Sequence, residues 1–201
     1  MKKPIHLLLS SALVILMGSG CAAFPKHAVP EVGQQTKADG SRAEKASYQL
    51  TGGANLGAGR SEFSPQIRQQ LTKEFVDTLK ESGSFATLRE GKDKGLHIDA
   101  DILNHGSGAA AAGAGFLGGL TLCTIPCWAT DWYKMKADVT TAQGLTKTYV
   151  LDDGLTTVFW LPLAVIAPFH TPEKVSEDVR KNLYKTLVQQ MRKDGVLAPA
   201  K

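Results

Sequence analysis

Cysteine is scarce in this chain: three in 201 residues, at positions 21, 123 and 127. Cys123 and Cys127 are spaced C-x3-C, not the C-x-x-C of a redox pair. No second ligand pair stands at a spacing that would complete a zinc site. In an extended strand their α-carbons would lie about 13 Å apart, beyond the reach of a disulfide. In a helix, or in a turn at Pro126, they would meet, so a Cys123–Cys127 bridge stays open from the sequence.

Catalytic patterns are also missing. Gly59-Arg60-Ser61-Glu62-Phe63 begins like a nucleophile elbow but ends in phenylalanine where the second glycine belongs. Gly52 to Arg60 is glycine-rich without the Gly-Lys-Ser/Thr of a phosphate-binding loop, so no nucleotide is expected. The formal net charge of +4 includes Lys2 and Lys3 near the N-terminus, and no polybasic patch points to nucleic acid. His97, Asp99 and Asp101, with His105 beyond them, are the nearest approach to a metal or acid–base set. Alternate strand residues share a face but stand about 7 Å apart, so neighbours would share one ion only with strain. An exposed polar strand face explains the same pattern. A metal-dependent hydrolase using His97 and Asp99 is the weakest of the readings. No catalytic residue, metal or cofactor is assigned, and the chain is read as non-enzymatic.

What is present begins at the N-terminus. Met1-Lys2-Lys3 is a short basic stretch, and Ile5 to Met17 is apolar. It is too short to span a bilayer, which takes roughly 20 apolar residues, and has signal-peptide length. Gly18-Ser19-Gly20-Cys21 follows. Ser19, Gly20 and Cys21 resemble the lipobox of bacterial lipoproteins. Gly18 departs from it, standing where that family usually has leucine; Leu16 and Met17 supply apolar bulk a step early. The resemblance implies cleavage between Gly20 and Cys21 and a diacylglycerol on the Cys21 thiol. With three acyl chains in all, release from the membrane would be negligible. Ala22 follows the cysteine in place of an aspartate, which implies the outer membrane, facing the periplasm.

Residues 1–20 are thus expected to be a signal peptide and 21–47 a flexible tether, because Ala22 to Ser47 is rich in proline, glycine and charge without apolar periodicity. Residues 48–201 are expected to form one α+β domain. Ser64-Pro65 and Thr171-Pro172 each read as an N-cap followed by proline in the first turn. Ile67, Leu71, Phe75 and Leu79 repeat every four residues after the first. Val175, Val179, Leu183, Leu187 and Met191 do so after the second. Gly83 and Gly195 are the expected stops. Leu96 to Leu103 and Trp132 to Thr140 alternate as half-buried strands. Ala142 to Gly144 reads as a hairpin turn before a strand to Leu151, and Asp152-Asp153-Gly154 as a second turn. With a short strand near Tyr48, the sum is an antiparallel sheet of four to five strands carrying two helices on one face.

Two long charge-free runs do not fit such a simple fold: Gly106 to Thr130 and Gly154 to Phe169. The first, about 25 residues, is long enough to cross a bilayer. A single pass would put the strands at Leu96 and Trp132 on opposite sides of a membrane, although they read as parts of one sheet. The runs are therefore either core or an apolar surface. Phe116, Leu117, Leu120, Trp128, Phe159, Trp160, Leu161 and Phe169 would carry contact with lipid or an envelope membrane-protein partner. The function expected is that of a lipid-anchored cell-envelope accessory protein. A periplasmic carrier of a small apolar ligand is the alternative.

Overall fold

The computed structural model describes residues 20–33, 44–57, 59–106, 108–121 and 124–197. The expected signal peptide up to Ser19, and Cys123, lie outside these. Helix α1 (Pro65–Glu81) starts where the sequence places it, with the Ser64 hydroxyl accepting from the Ile67 amide. It turns inward Leu71, Phe75 and Leu79, while Ile67 stays exposed. The long C-terminal helix α3 (Pro172–Lys193) starts on the Thr171 hydroxyl and buries Val175, Val179, Leu183, Leu187 and Met191. Gly83 (φ 68°) and Gly195 (φ 72°) end the two helices in the left-handed conformation that glycine adopts without strain.

The sheet is larger than expected, and mixed. Its strands are β1 (Cys21–Pro25), β2 (Glu44–Asn55), β3 (Arg60–Glu62), β4 (Phe85–Glu90), β5 (Leu96–Gly106), β6 (Cys127–Thr140) and β7 (Thr146–Phe159). The seven strands run in the order β1-β7-β6-β5-β2-β3, with β4 also paired to β2. β2 lies parallel to both β4 and β5, and the other pairs are antiparallel. The expectation of four to five antiparallel strands fails for two reasons. β1, β3 and β4 are five, three and six residues long, too short for alternation to show. The parallel pairing arises because α1 carries the chain back along the sheet between β2 and β4, which parallel neighbours require.

The helices α1 and α3 cover one face. Ile98, Ala100 and Ile102 of β5, Met135, Ala137 and Val139 of β6, and Tyr149, Leu151 and Leu155 of β7 meet Phe75, Leu79, Leu183, Leu187 and Met191 in one core. Tyr184 packs edge-on against Phe75, ring centres 5.2 Å apart. The opposite face shows Asp99, Lys134 and Lys136 to solvent, as antiparallel sheets commonly do. Between the helices, Arg180 grips the Glu74 carboxylate twice, at 2.9 and 3.0 Å, and lies 5.3 Å from the Tyr133 ring centre.

Two boundaries are corrected. The tether expected over 21–47 does not start at Cys21: Cys21 to Pro25 is strand β1, with Ala22 and Ala23 wholly buried. The chain then stays on the domain as far as Val32, whose amide donates to the Asn182 side chain of α3 at 2.8 Å. Glu44 to Ser47 already belongs to β2. Residues 34–43 lie outside the described residues. The Asp152-Asp153-Gly154 turn is also absent, since these residues sit within β7. Asp153 is buried, and one of its oxygens accepts from the amides of Ala28 and Gly154, pinning the loop after β1. Gly154 is required by close packing: a Cβ there would stand 2.6 Å from the Asp131 carbonyl oxygen.

Candidate functional site: the apolar end of the sheet

At one end of the sheet three strands finish in register. Cys21 of β1 faces Phe159 of β7, and Phe159 faces Cys127 of β6. The two charge-free runs converge here. The first forms the helix α2 (Gly108–Leu120), a loop, and the first residues of β6. The second forms the last residues of β7 and two short 3-10 turns, Leu161–Val165 and Ala167–Phe169.

The way α2 is seated inverts the usual pattern of a surface helix. It rests against β6 on small residues, with Ala114 and Gly118 buried. The buried Cys127 thiol is free and donates to the Ala114 carbonyl at 3.1 Å; Cys123 lies outside the described residues. The large apolar side chains point away from the protein, with Phe116 and Leu120 each 67% exposed and Leu117 also exposed. Small residues let the helix backbone approach the sheet, and that approach leaves no room beneath it for large ones. Ile125 and Trp128 (63%) extend the exposed surface from the loop onto β6. Beyond β7, Trp160, Leu161, Val165, Ile166 and Phe169 (72%) extend it further.

Backbone bonds lock this segment onto β1. The Trp160 amide donates to the Gly20 carbonyl at 2.7 Å, and the Ala23 amide donates to the His170 carbonyl at 2.8 Å. Phe24 and His170 pack ring against ring at 5.4 Å. Just inside the apolar end sits Asp131, half-buried, whose carboxyl is pushed up from its ordinary value by burial.

Of the residues singled out in the sequence, Phe116, Leu117, Leu120, Trp128, Trp160, Leu161 and Phe169 are all exposed at this end. Phe159 differs: it is half-buried as the strand residue between the two cysteines. Ile125, Val165 and Ile166 join the surface without having been expected, although their place inside the two charge-free runs was a usable signal. The position of Cys21 beside Phe159 could not be read from sequence, because five residues carry no pairing information.

The acid–base candidates are held apart, each by its own partner. His97 is buried, not on an exposed face as expected, because Ser47 and the loop at Asp93 close over it. Ser47 Oγ lies 2.9 Å from His97 Nδ1 and accepts from the Asp93 amide. Asp99 is exposed. Asp101 accepts two bonds from Arg60, at 2.9 and 2.6 Å, and one from Thr51. The Arg60 guanidinium holds its carboxyl below the ordinary value. His105 stacks on Trp132, with Nε2 3.5 Å from Asp152.

Clefts elsewhere on the described surface are bordered by charge. One of about 320 Å³ lies between α3 and the loop after β1, lined by His27, Glu31, Asp153, Asp178 and Lys181 among others. Another, of about 450 Å³, is bordered by Lys45, Arg89, Asp93 and Lys94. A third, of about 640 Å³ beside α1, sets Tyr48, Phe63 and Val76 among Arg68, Lys73, Asp77 and Glu90.

No protein-family model matches the chain, and no curated protein matches it. Its fold is similar to that of several solved structures. A minor lipoprotein from Acinetobacter baumannii shares 11% identity at a TM-score of 0.39, covering 79% of this chain and 98% of that one. A DUF330 protein from Xanthomonas campestris shares 8% at 0.32, covering 79% and 96%. The PelC dodecamer from Paraburkholderia phytofirmans shares 10% at 0.30, covering 79% and 97%. Likenesses of this strength assign neither a family nor an activity. Among the described residues no helix is long and apolar enough to cross a membrane.

Proposed function

We propose that this chain is a lipid-anchored protein of the bacterial cell envelope, non-enzymatic, whose segments 106–130 and 154–169 contact the membrane or a membrane-embedded partner. One observation carries the reading. Cys21, the residue that the lipobox resemblance marks for acylation, lies in the same cross-strand row as Phe159 and Cys127, at the end of the sheet that exposes Phe116, Leu120, Trp128 and Phe169. An acyl chain and an apolar surface at one end of a domain have a common destination. The outer membrane is the membrane proposed, on the strength of Ala22 after the cysteine. The carrier alternative draws less support, since the clefts described are open and edged with charged side chains, whereas small-molecule sites are mostly apolar and enclosing.

The test is expression of the full chain in a Gram-negative host, with and without Cys21→Ser. The wild-type protein is expected in the outer-membrane fraction, with an N-terminal peptide that begins at Cys21 and carries acyl mass. The variant is expected to lose that mass. A wild-type protein that is cleaved elsewhere and carries no acyl group would overturn the reading.

A further inference from the structure

We infer that the apolar end sits directly in the surface layer of a phospholipid bilayer, with no tether between the anchor and the domain, so that the protein stands on the membrane in one fixed orientation. This rests on the lipid-anchor reading above and commits the apolar surface to lipid.

Four observations support lipid as the occupant. The first is where the chain outside the structure ends. Residues 1–19, including the apolar Ile5 to Met17, lead through Gly20 directly into β1. Cys21 is already paired in β1. Whatever lipid-soluble group precedes or modifies Cys21 therefore emerges at this end, within a residue of the fold.

The second is the distribution of the exposed side chains. Phe116 and Leu120 come from α2, which packs over the buried Cys127 and Ala129 on the helix-bearing face. Trp128 alternates with those two residues and so projects from the opposite face. Phe169 lies beyond β7, beside β1. They surround the end of the sheet on several sides. A protein partner grips one face; a fluid surrounds an end.

The third is polarity. No charged residue lies between His105 and Asp131 or between Asp153 and His170. Tryptophans at the edge of such a region suit the membrane–water boundary.

The fourth is hydrogen bonding. In lipid every polar group must find its partner within the protein. The exposed 3-10 segment meets this demand from its own backbone: the amides of Leu163, Ile166 and Phe169 donate to the carbonyls of Trp160, Leu163 and Ile166. After α2, the hydroxyls of Thr121 and Thr124 are exposed in position yet turned back to the carbonyls of Leu117 and Thr121, at 2.8 and 2.7 Å. Bonds of these kinds also form in water, and here they leave those groups already partnered for a lipid setting. At 13 residues α2 is far short of a span, so the seating is shallow.

The experiment uses the acylated full-length mature protein in vesicles of phosphatidylethanolamine and phosphatidylglycerol whose chains are brominated near the headgroup. Single-tryptophan forms are made by replacing two of Trp128, Trp132 and Trp160 with phenylalanine. Trp128 and Trp160 are expected to be quenched at least twofold relative to unbrominated vesicles. Trp132, which lies farther along β6 and stacks on His105, is expected to be quenched far less. A second arm adds Phe116→Glu with Leu120→Glu, exposed positions whose replacement is expected to leave the fold intact, as circular dichroism checks. Quenching of Trp128 is then expected to fall by half or more. The inference is overturned if acylated protein floats with the vesicles while Trp128 and Trp160 stay unquenched, or if the glutamates change nothing. Shielding of Trp128 that requires added membrane proteins would assign the surface to a protein partner and overturn it as well. Failure of the anchor itself appears separately, as absence of acyl mass at Cys21.

Discussion

Arg180 and Glu74 are buried side by side, each side chain only 8% exposed, and each takes the place of water for the other. Removing the guanidinium leaves a buried carboxylate with the Gln70 amide but no opposite charge beside it. Arg180→Met is expected to lower stability by about 3–5 kcal/mol, and the Glu74→Met/Arg180→Met pair to recover most of that loss. Urea denaturation of the three proteins checks both. Asp131 works in the opposite sense. Burial raises its carboxyl above the unfolded value of about 3.9, so the folded chain holds the proton to higher pH than the unfolded chain does. The ionised form therefore costs stability near neutrality, and that cost is relieved as pH falls through the folded value. Asp131→Asn is expected to raise Tm at pH 7 and to give little or no gain below about pH 4, where both states are protonated. Thermal melts across that range decide it.

At the scale of elements, α2 separates what packs from what is hydrophobic. Ala114 is buried, and its carbonyl receives the Cys127 thiol. Ala114→Leu is expected to cost about 1–3 kcal/mol by overpacking. Leu117→Ala, on the exposed side, is expected to stay within about 0.5 kcal/mol of wild type. Equal effects at both positions would mean that the helix is seated the other way. The same element marks the limit of sequence reading. α1 and α3 were legible because polar residues interrupt their apolar ones at a period of four and a cap opens each. In α2 every residue is apolar or glycine, so periodicity carries no information about which side faces in, and core and surface read alike. β1 and β4 are too short to show alternation, and β4's neighbour across β2 depends on where α1 returns the chain. The aspartates before Gly154 resembled a turn because one of them is polar for a distant reason, the amide of Ala28. At the apolar end the exposed residues were legible as a set. Their convergence on Cys21 was not, since it depends on a strand pairing between the two ends of the chain.

For the whole molecule, the difference between a tethered and a seated domain is measurable. The Ala23 amide is bonded to His170, and β1 is paired to β7 along its length. Amide hydrogens of Ala22 to Phe24 are expected to exchange as slowly as those of β6, by hydrogen-exchange mass spectrometry. Exchange within seconds would restore the tether. From the apolar end, β6 and β7 run 14 residues each to the hairpin at Thr141–Leu145. At about 3.4 Å per residue that places the hairpin roughly 45 Å along the strand direction, on the side away from the membrane in the proposed orientation.

The pairing of β1 with β7 also sets an order of events. A chain that leaves a membrane N-terminus first presents Gly20 and Cys21 long before Phe159, Trp160 and His170 exist to receive them. Closure of that strand waits for almost the whole chain, and contacts between such distant segments form slowly. Until then the Gly20–Cys21 peptide bond is unpaired and accessible. In a chain that folds uncut, Gly20 is packed against Trp160, with no room for even a methyl group, since a Cβ there would stand 2.7 Å from the Trp160 carbonyl oxygen. Any enzyme that cuts or modifies the chain at this point works in the interval before folding completes, and a chain that folds uncut stays uncut.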